Sequence, residues 1–549
     1  MVRSPRFARI AALLALALSA CIPSEGVDEG GRTPTPARGT RAGGTVRVAI
    51  TPPDGIDPGN ANEPSGELLA RTMCDQLVML DPETGEPRPG LAESWSIVPG
   101  GQKLFVKLRA GIRFTNGREV TAEDVVFTLD RVASETYASR SASLLEKVNG
   151  YAFVHGDAEA PNERARRELI GVQTSDARTV EITLAEPDAD FYRVLAHPAL
   201  SPVAREAVEV DPMAFARDPV CAGPYVLDQP WRPGEPVPLR RSPSYAGMLP
   251  MFTRGGAGWA DRIEFVVTDD PAAAFARGEV DLARDMRASP GPGVEQRAGA
   301  RLELLGLPTG VAPFDARAVR IALSMSLDRE ALAAASPFAR APARGFVPPT
   351  VPDMHREAAC GVNVPLSADV TRARKLLADA GVTSLRFDLT FNDELENRAL
   401  AEAIAAQWRA GLGARVTLRP LTFEQLLQEG QSTRGPASPF RFGWEPPVAT
   451  ADASLTPLFS VDAIGQNNLA RFESGAFADA IRDARKAADD GDRIDASGRA
   501  EDLICSEMPM IPLSFDVETW RVSERVGPAV GVWLGRGDAQ PVLREVTAA

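Results

Sequence analysis

Histidine is the scarcest metal-binding side chain in this 549-residue sequence. His155, His197 and His355 are its only histidines, and they lie far apart in the chain. The five cysteines form neither a CxxC pair nor a cluster with histidine. Structural and catalytic zinc sites need such ligands at close spacing. The sequence therefore predicts no metal site, and we expect no cofactor.

Positively charged residues are fewer than negatively charged ones. Lys and Arg together number 60 against 74 Asp and Glu, which leaves a formal net charge of -14 at pH 7. A protein with this excess of acid repels the phosphate backbone, because affinity for nucleic acids depends on neutralising phosphates with Lys and Arg. We therefore expect no nucleic-acid partner.

Long apolar runs are absent after residue 21, and none of the remaining stretches is long enough to cross a bilayer. Hydrophobic residues make up 44% and charged residues 24% of the chain, as in an ordinary globular protein. A chain of 549 residues exceeds what a single core normally holds. Two or more lobes are therefore expected.

Common catalytic motifs are missing as well. The sequence has no GxSxG elbow, HExxH pair, P-loop or dinucleotide fingerprint, so we expect a protein that is not an enzyme. The acidic run Asp489-Asp490-Gly491-Asp492 lacks the spacing and terminal Glu of an EF-hand calcium loop. It is more typical of a helix end with a glycine cap.

The N-terminus has the pattern of an export signal. Three arginines precede an apolar run from Ile10 to Ala20, which is about half the length of a membrane-spanning helix. Leu18-Ser19-Ala20-Cys21 resembles the lipobox of bacterial lipoproteins. This resemblance implies a signal peptide at 1–20 and a lipid on Cys21. The protein would then be anchored to the cell membrane on its extracytoplasmic side.

Four cysteines remain when Cys21 is set aside: Cys74, Cys221, Cys360 and Cys505. An even number of cysteines in an oxidising compartment predicts disulfides. The spacing alone leaves all three possible pairings open.

The first half of the chain alternates between strand and helix patterns. Residues 21–43 are rich in Gly, Pro, Thr and Arg and are typical of a flexible tether, and Thr45–Ile50 has the alternation of a strand. A helix is predicted at about Ser65–Val78. Leu104–Leu108 is predicted to form a hairpin with Ile112–Phe114.

Further helices and strands are predicted from capping residues, breaker residues and the spacing of apolar residues. Thr121 is a suitable cap for an amphipathic helix, because its hydroxyl can accept from the first free amides. After the breaker-rich segment 306–310, helices are predicted at Ala316–Met325 and Val370–Ala380. Leu400, Ile404 and Trp408 have helical spacing between two alternating runs, which predicts a strand-helix-strand unit.

The sequence resembles the family 5 extracellular solute-binding proteins, the dipeptide, oligopeptide and nickel receptors of ABC importers. A dozen short motifs occur in the family's order and cover nearly the whole mature chain. They are Gly43-Gly44-Thr45, Leu91-Ala92-Glu93-Ser94-Trp95, Phe105 to Gly111, Phe114-x-x-Gly117, Thr121 to Phe127, Gly223-Pro224-Tyr225, Arg241-x-Pro243-x-Tyr245, Gly278 to Leu282, Val319-Arg320-x-Ala322-Leu323, Asp328-Arg329, Ala373 to Gly381 and Met508 to Leu513. Most of these motifs are typical of the scaffold and do not identify the ligand.

The resemblance implies an α/β fold with two lobes, an extra subdomain on the first lobe and a hinge. Lobe I would comprise 44–306 and 512–549, with a subdomain at about 92–214, and lobe II would comprise 307–511. Ile511 to Phe515 would be the second hinge strand. Pairing within each lobe leaves the hinge free to move, so we expect disulfides Cys74–Cys221 and Cys360–Cys505.

The implied function is a monomeric receptor that delivers a small polar solute, preferably a peptide or peptide-like compound, to the permease subunits of an ABC importer. Peptides, opines, sugars and other polar metabolites all remain open. Nickel is disfavoured because the histidines are dispersed. A sensor of the same fold that works without import is the alternative, and an exported enzyme is the less favoured one.

Candidate ligand-binding residues lie in three segments. Trp444 could stack on the solute, and Glu445 could replace the ammonium-binding Asp of the family, whose approximate place is taken by Pro447. Asn467 and Asn468 resemble a segment that lines the family's cleft. Glu63-Pro64-Ser65 would offer backbone donors at the start of a helix.

Overall fold

The structure is a computed structural model that describes residues 43–526, apart from positions 62, 83 and 246–259, together with residue 543. The predicted signal peptide, Cys21 and nearly all of the predicted tether lie outside the described residues. Among the described residues, no helix is both long and apolar enough to cross a membrane.

Strands in the described part of the chain form one large sheet and two small ones. In chain order they are β1 (Thr45–Ile50), β2 (Val78–Leu80), β3 (Pro87–Pro89), β4 (Ala92–Ile97), β5 (Lys103–Leu108), β6 (Val172–Asp176), β7 (Thr179–Thr183), β8 (Tyr225–Leu227), β9 (Val237–Arg241), β10 (Arg262–Val267), β11 (Leu282–Arg284), β12 (Val294–Gly306), β13 (Arg340–Pro342), β14 (Arg386–Asn392), β15 (Arg415–Leu421), β16 (Phe440–Trp444) and β17 (Met510–Val522).

The α-helices lie between these strands. They are α1 (Pro64–Met73), α2 (Ala122–Ala133), α3 (Tyr151–His155), α4 (Glu163–Arg167), α5 (Phe191–Val194), α6 (Arg205–Val210), α7 (Pro212–Phe215), α8 (Pro271–Ala276), α9 (Arg317–Met325), α10 (Arg329–Ala335), α11 (Val370–Asp379), α12 (Leu395–Leu412), α13 (Phe423–Gln431), α14 (Ala451–Phe459), α15 (Gly475–Lys486) and α16 (Asp490–Glu507). Short 3-10 helices lie at Pro58–Asn60, Ala142–Leu145, Pro198–Leu200, Gly361–Asn363 and Val461–Ala463.

The large sheet has the order β15-β14-β16-β12-β17-β11-β1-β10-β9-β8, with β13 also paired to β17. Strands β12 and β17 are antiparallel, and each is 13 residues long. They connect the strands near the chain start, β1 and β8 to β11, with the later strands β14 to β16. We call β12 and β17 the hinge strands, since they are the part of the large sheet shared by both halves.

Three large hydrophobic cores lie around this framework. The core of lobe I contains Val48 and Phe265, and the core of the subdomain contains Val106 and Leu129. The core of lobe II is built around the buried Trp408. Separate cores allow separate bodies, because each can bury its own apolar surface. The residue boundaries of lobes and subdomain stay a prediction.

Several local predictions are confirmed by the helix and strand bounds. Strand β1 covers the predicted Thr45–Ile50, and Thr121 is the N-cap position of α2, where its amide and its hydroxyl both donate to the Asp124 carboxylate at 2.9 Å. Ile404 and Trp408 are buried on α12, between the parallel strands β14 and β15. Alternation and helical spacing are therefore read correctly where one face of the element is buried.

Three local predictions are wrong. Helix α1 ends at Met73, not Val78, because the chain turns at Cys74 and the Asp75 amide donates to Ala222 O. Residues 112–114 form no strand, because β5 pairs with β4 and β7 instead. The acidic run begins α16 rather than ending a helix, and the Asp489 side chain accepts from the Asp492 amide.

Each disulfide joins two cysteines that lie in the same hydrophobic core. Cys74 is bonded to Cys221 and Cys360 to Cys505, across sequence separations of 147 and 145 residues. Cys74 and Cys221 lie in the core of lobe I, and the other pair lies in the core of lobe II. This is the predicted pairing, and neither bond crosses the hinge strands.

Candidate functional site

A cavity of about 420 Å³ lies between the subdomain and lobe II. Its subdomain wall is formed by residues before and within α5 and by the segment 143–147. Its lobe II wall is formed by Trp444, the loop after β16, helix α14 and the segment 460–467. The volume falls within the range of small-ligand pockets, which commonly lie between domains. This cavity is therefore the candidate binding site.

Trp444 lines the cavity from the last position of β16. The strand is paired with hinge strand β12, where Trp444 lies opposite Leu302. The indole Nε1 donates to the carbonyl of Ala453, 3.2 Å away, at the start of α14. This bond and the sheet hold the half-buried ring in one orientation, which suits an aromatic side chain that contacts a ligand.

The two predicted asparagines have different environments. Asn467 lines the cavity. Asn468 is fully buried, its amide donates to the carbonyls of Ser460 and Phe472 at 2.8 Å each, and it accepts from the Phe472 amide at 3.0 Å. Its hydrogen-bonding groups are used to close the turn. Asn467 therefore remains a ligand-binding candidate, and Asn468 positions the segment.

Glu445 does not line the cavity; it lies beside the hinge strands. Its side chain is partly reached by water, but the surrounding protein desolvates the carboxyl and raises its pKa. The charge of Arg301 opposes this rise in pKa, and the charge of Glu518 adds to it. Pro447, at the approximate place of the family's Asp, does line the cavity. That Glu445 takes over the role of this Asp stays a prediction.

Glu63, Pro64 and Ser65 form the beginning of α1 and do not line the cavity. The Glu63 carboxylate accepts from the backbone amide of Ser65 at 2.8 Å and from that of Gly66. The donors that were expected to serve a ligand are therefore already occupied by a capping side chain. Glu is an uncommon N-cap residue, so the sequence pattern does not indicate this cap.

Lys147 is a site residue that the sequence analysis did not identify. It donates to Asp188 at 2.7 Å within the subdomain and also contacts Asp452 on lobe II. Arg485 of lobe II contacts the same Asp452 at 3.2 Å and Glu186 of the subdomain at 3.3 Å. These ion pairs join the two walls of the cavity.

Burial alone would raise the pKa of Asp452, but the charges of Lys147 and Arg485 outweigh it and hold that pKa below its usual range. Burial likewise disfavours the charge of Lys147, yet Asp452 and Asp188 raise its pKa. Both groups are therefore charged at neutral pH. The sequence signal for this pair was a lysine flanked by apolar residues, in Leu144-Leu145-Glu146-Lys147-Val148.

A second buried ion-pair network lies next to the first. Arg493 of lobe II donates to Asp190 of the subdomain at 2.8 Å and to Asp353 at 3.2 Å. Arg193 of the subdomain donates to Asp353 of lobe II at 2.6 Å. Each acid thus meets cations from both bodies, which holds the subdomain against lobe II.

Asp516 is a half-buried acid on hinge strand β17, in the cluster that includes Glu445 and Glu518. It accepts from the backbone amide of Arg301 at 2.9 Å. Desolvation, together with the charges of Glu518 and Glu445, raises its pKa to about 6, against the opposing effects of Arg301 and Arg340. Ionisation of Asp516 is thus disfavoured by its burial and by the two neighbouring acids.

The stability of the protein is expected to fall as pH rises through about 6, because the folded-state pKa of Asp516 lies above its unfolded value. Its contribution is complete below about pH 4 and is lost above the folded pKa. Thermal midpoints measured between pH 4 and 8 should therefore decline less in Asp516→Asn, which keeps the acceptor for the Arg301 amide. Asp495→Asn, at an exposed acid on α16, is the control. An equal decline in wild type and Asp516→Asn would contradict this assignment.

Among the described residues, no group of three or more His, Cys, Asp or Glu side chains is arranged to hold a metal ion. What the cavity offers is an aromatic ring, apolar side chains such as Phe191 and Val194, amides and carboxylates. This combination suits a polar organic solute with some apolar surface.

Comparison with known proteins identifies relatives across most of the chain. The family model of "Bacterial extracellular solute-binding proteins, family 5 Middle" matches residues 86–466. A relative from Escherichia coli (strain K12), named "Probable deoxycholate-binding periplasmic protein YgiS", is 27% identical over 482 residues, which cover 84% of this chain and 86% of the relative. The periplasmic oligopeptide-binding protein OppA of Salmonella typhimurium (strain LT2) is 28% identical over 495 residues, which cover 87% and 88% of the two chains.

Solved structures share the fold. The unliganded open form of MppA, a periplasmic murein tripeptide binding protein, superposes with a TM-score of 0.79 at 20% identity, and the match covers 93% of this chain and 98% of that one. The predicted two-lobed α/β fold is therefore confirmed. The names of these three proteins mention deoxycholate, oligopeptides and a murein tripeptide, so they leave the solute of this chain open.

Proposed function

The chain belongs to the bacterial extracellular solute-binding proteins of family 5, and from this premise we propose that it captures a peptide or peptide-like solute in the cavity beside Trp444 and passes it to an ABC importer. The partners would be the permease subunits of that importer, and the receptor would act as a monomer. The solute would leave the cavity chemically unchanged.

The position of the cavity carries this proposal. It lies between two bodies that have separate cores, and the hinge strands β12 and β17 connect lobe II with lobe I. A bound solute that contacts both walls favours the conformation in which the walls are close. Solute binding would thereby change the surface presented to a permease.

Two similar proteins support a peptide-like solute, since one is named for binding oligopeptides and the other for binding a murein tripeptide. A cavity of about 420 Å³ has room for a short peptide rather than a long one. Trp444 and Asn467 would provide apolar contact and amide hydrogen bonds.

Native mass spectrometry of the protein purified from its own host tests this function. The expected spectrum shows a protein-solute complex that releases a small peptide-like molecule on activation. Incubation of the solute-free protein with that molecule should leave the molecule chemically unchanged. Absence of any bound or bindable solute would contradict the receptor function, and formation of product would contradict passive binding.

Cys21 is expected to carry the membrane anchor, because Leu18-Ser19-Ala20 precedes it at the end of the apolar run. Intact-mass measurement of protein extracted from membranes with detergent should show a chain that begins at Cys21 and carries a diacylglycerol. Cys21→Ser is the matched variant and should lose the lipid and the membrane association. A wild-type product that is soluble and cleaved at another position would contradict the anchor.

A further inference from the structure

Helix α15 of lobe II ends against the subdomain. The last four carbonyls of a helix have no partner within it. One of these in α15, the carbonyl of Arg485, accepts from the backbone amide of Ala189 in the subdomain at 3.0 Å. A hydrogen bond between two main chains requires a close approach, since no side chain spans the gap. Lobe II and the subdomain are therefore in direct backbone contact here.

Gly101 makes this approach possible. It is a buried residue in the turn between β4 and β5, and its carbonyl accepts from the Asp188 amide, next to Ala189, at 2.8 Å. A side-chain carbon on Gly101 would overlap the carbonyl oxygen of Arg485. Gly100 lies in the same turn, but it is exposed and a side-chain carbon there would have open space. The absence of a side chain at position 101 thus serves the contact with lobe II.

Buried ion pairs cross the same boundary, in the two networks described above. Asp353 of lobe II accepts from Arg193 of the subdomain at 2.6 Å. The side chain of Arg485, whose carbonyl is already bound by the subdomain, pairs with Glu186 at 3.3 Å. Opposite charges on facing surfaces favour one relative position of the two bodies. The boundary thus combines backbone contact with charge pairing, and groups of the protein alone supply both.

Lobe I holds the subdomain through separate contacts. Arg131 on α2 donates to Asp57 at 3.0 Å, and the Thr115 amide donates to the Cys221 carbonyl at 3.1 Å. The subdomain is therefore expected to move with lobe I. A rotation about the hinge strands that carries lobe II away from lobe I has to break the contact of lobe II with the subdomain.

We propose that this contact is a latch that keeps the subdomain and lobe II together before any solute is bound. The cavity lies between the same two bodies, so solute enters and leaves only while the latch is open. The role in solute exchange rests on the proposed function, whereas the closed state of the solute-free protein does not. A stable latch lowers the population of receptors that can admit a solute.

Spin-label distances in the solute-free protein test the latch. The full-length protein carries labels on Glu163→Cys in α4 of the subdomain and on Lys375→Cys in α11 of lobe II, which are both exposed positions. Pulsed electron paramagnetic resonance should show one narrow population at short distance. Gly101→Ala should raise the ratio of a longer-distance population to this one by about fivefold or more, the effect of losing a hydrogen bond. Release of retained solute should accelerate by a similar factor.

Gly100→Ala is the matched control, because both glycines have a positive φ, 98° at Gly100 and 70° at Gly101, and only the second faces lobe II. It should leave the distances unchanged. The added carbon of Gly101→Ala would also lie 3.2 Å from the Asp188 amide within the subdomain. Asp353→Asn is therefore a second variant, which weakens the latch from lobe II and should also populate the longer distance. Its control is Asp502→Asn, at an exposed partner of Arg356.

Two results of the distance measurement would overturn the latch. One is a long or broad distribution in the solute-free protein with an unaltered latch. The other is a distribution that stays the same in both Gly101→Ala and Asp353→Asn. An open distribution in these variants with an unchanged rate of solute release would overturn the role in exchange, while the proposed function stands. Absence of any bindable solute would overturn the proposed function and the role in exchange, and the distances would still decide the closed state.

Discussion

Replacement of Trp444 by alanine is expected to weaken solute binding by about 1 to 4 kcal/mol, the range for truncated aromatic anchors. The ring lines the cavity and is held by its bond to Ala453 O, so its loss removes contact area that is already oriented for the solute. Calorimetry with the identified solute measures the effect. Trp444→Phe should retain part of the affinity, because it keeps an aromatic face.

A matched control separates loss of contact from loss of structure. Trp95→Ala removes a half-buried tryptophan of the subdomain that stacks on Tyr192 and does not line the cavity. This variant should bind the solute with unchanged affinity. Unchanged affinity in a folded Trp444→Ala variant would place Trp444 among the packing residues and remove it from the binding site.

Replacement of Lys147 by methionine is expected to destabilise the protein by about 3 to 5 kcal/mol, the cost of removing one partner of a buried ion pair. Asp188 and Asp452 would then face each other without the cation that both of them contact. Thermal or denaturant unfolding should show the loss, beginning with separation of the subdomain from lobe II. Lys103→Met, whose partner Glu181 is on a more exposed surface, should change stability by less than about 1 kcal/mol.

The destabilisation caused by Lys147→Met is expected to depend on pH. The folded-state pKa of Asp452 lies below its unfolded value, so the ion pair stabilises the protein above about pH 4 and its contribution is lost as pH falls further. The difference between wild type and Lys147→Met should therefore shrink in acid. A variant with Lys147→Met and Asp452→Asn together should be more stable than Lys147→Met alone. Equal stability of wild type and Lys147→Met would show that the ion pair contributes nothing.

Elements with one buried face are the part of this fold that sequence patterns predict well. The alternation in β1 and the spacing of Ile404 and Trp408 on α12 correspond to faces that pack on cores. Residues 112–114 have strand-like composition, yet β5 pairs with the strand before it, β4, on one side and with β7, about 70 residues later in the chain, on the other. Pairing between strands depends on tertiary contacts that a local pattern does not contain.

The candidate site was predictable only in part for the same reason. Trp444, at the end of β16, and Asn467, in a turn, are candidates from the sequence that do line the cavity. Lys147 and Asp452 are 305 residues apart, and an ion pair at that separation leaves no mark on spacing. The side-chain cap that Glu63 provides to α1 was not foreseen, and contact of Glu63, Pro64 and Ser65 with a solute stays a prediction.

Crystallography of the protein with its retained solute tests most directly whether the cavity between the subdomain and lobe II is the binding site. The expected electron density shows an unmodified solute in contact with Trp444 on one wall and with the segment 143–147 on the other. Solute density outside this cavity, or a chemically altered molecule within it, would contradict the function proposed for this protein.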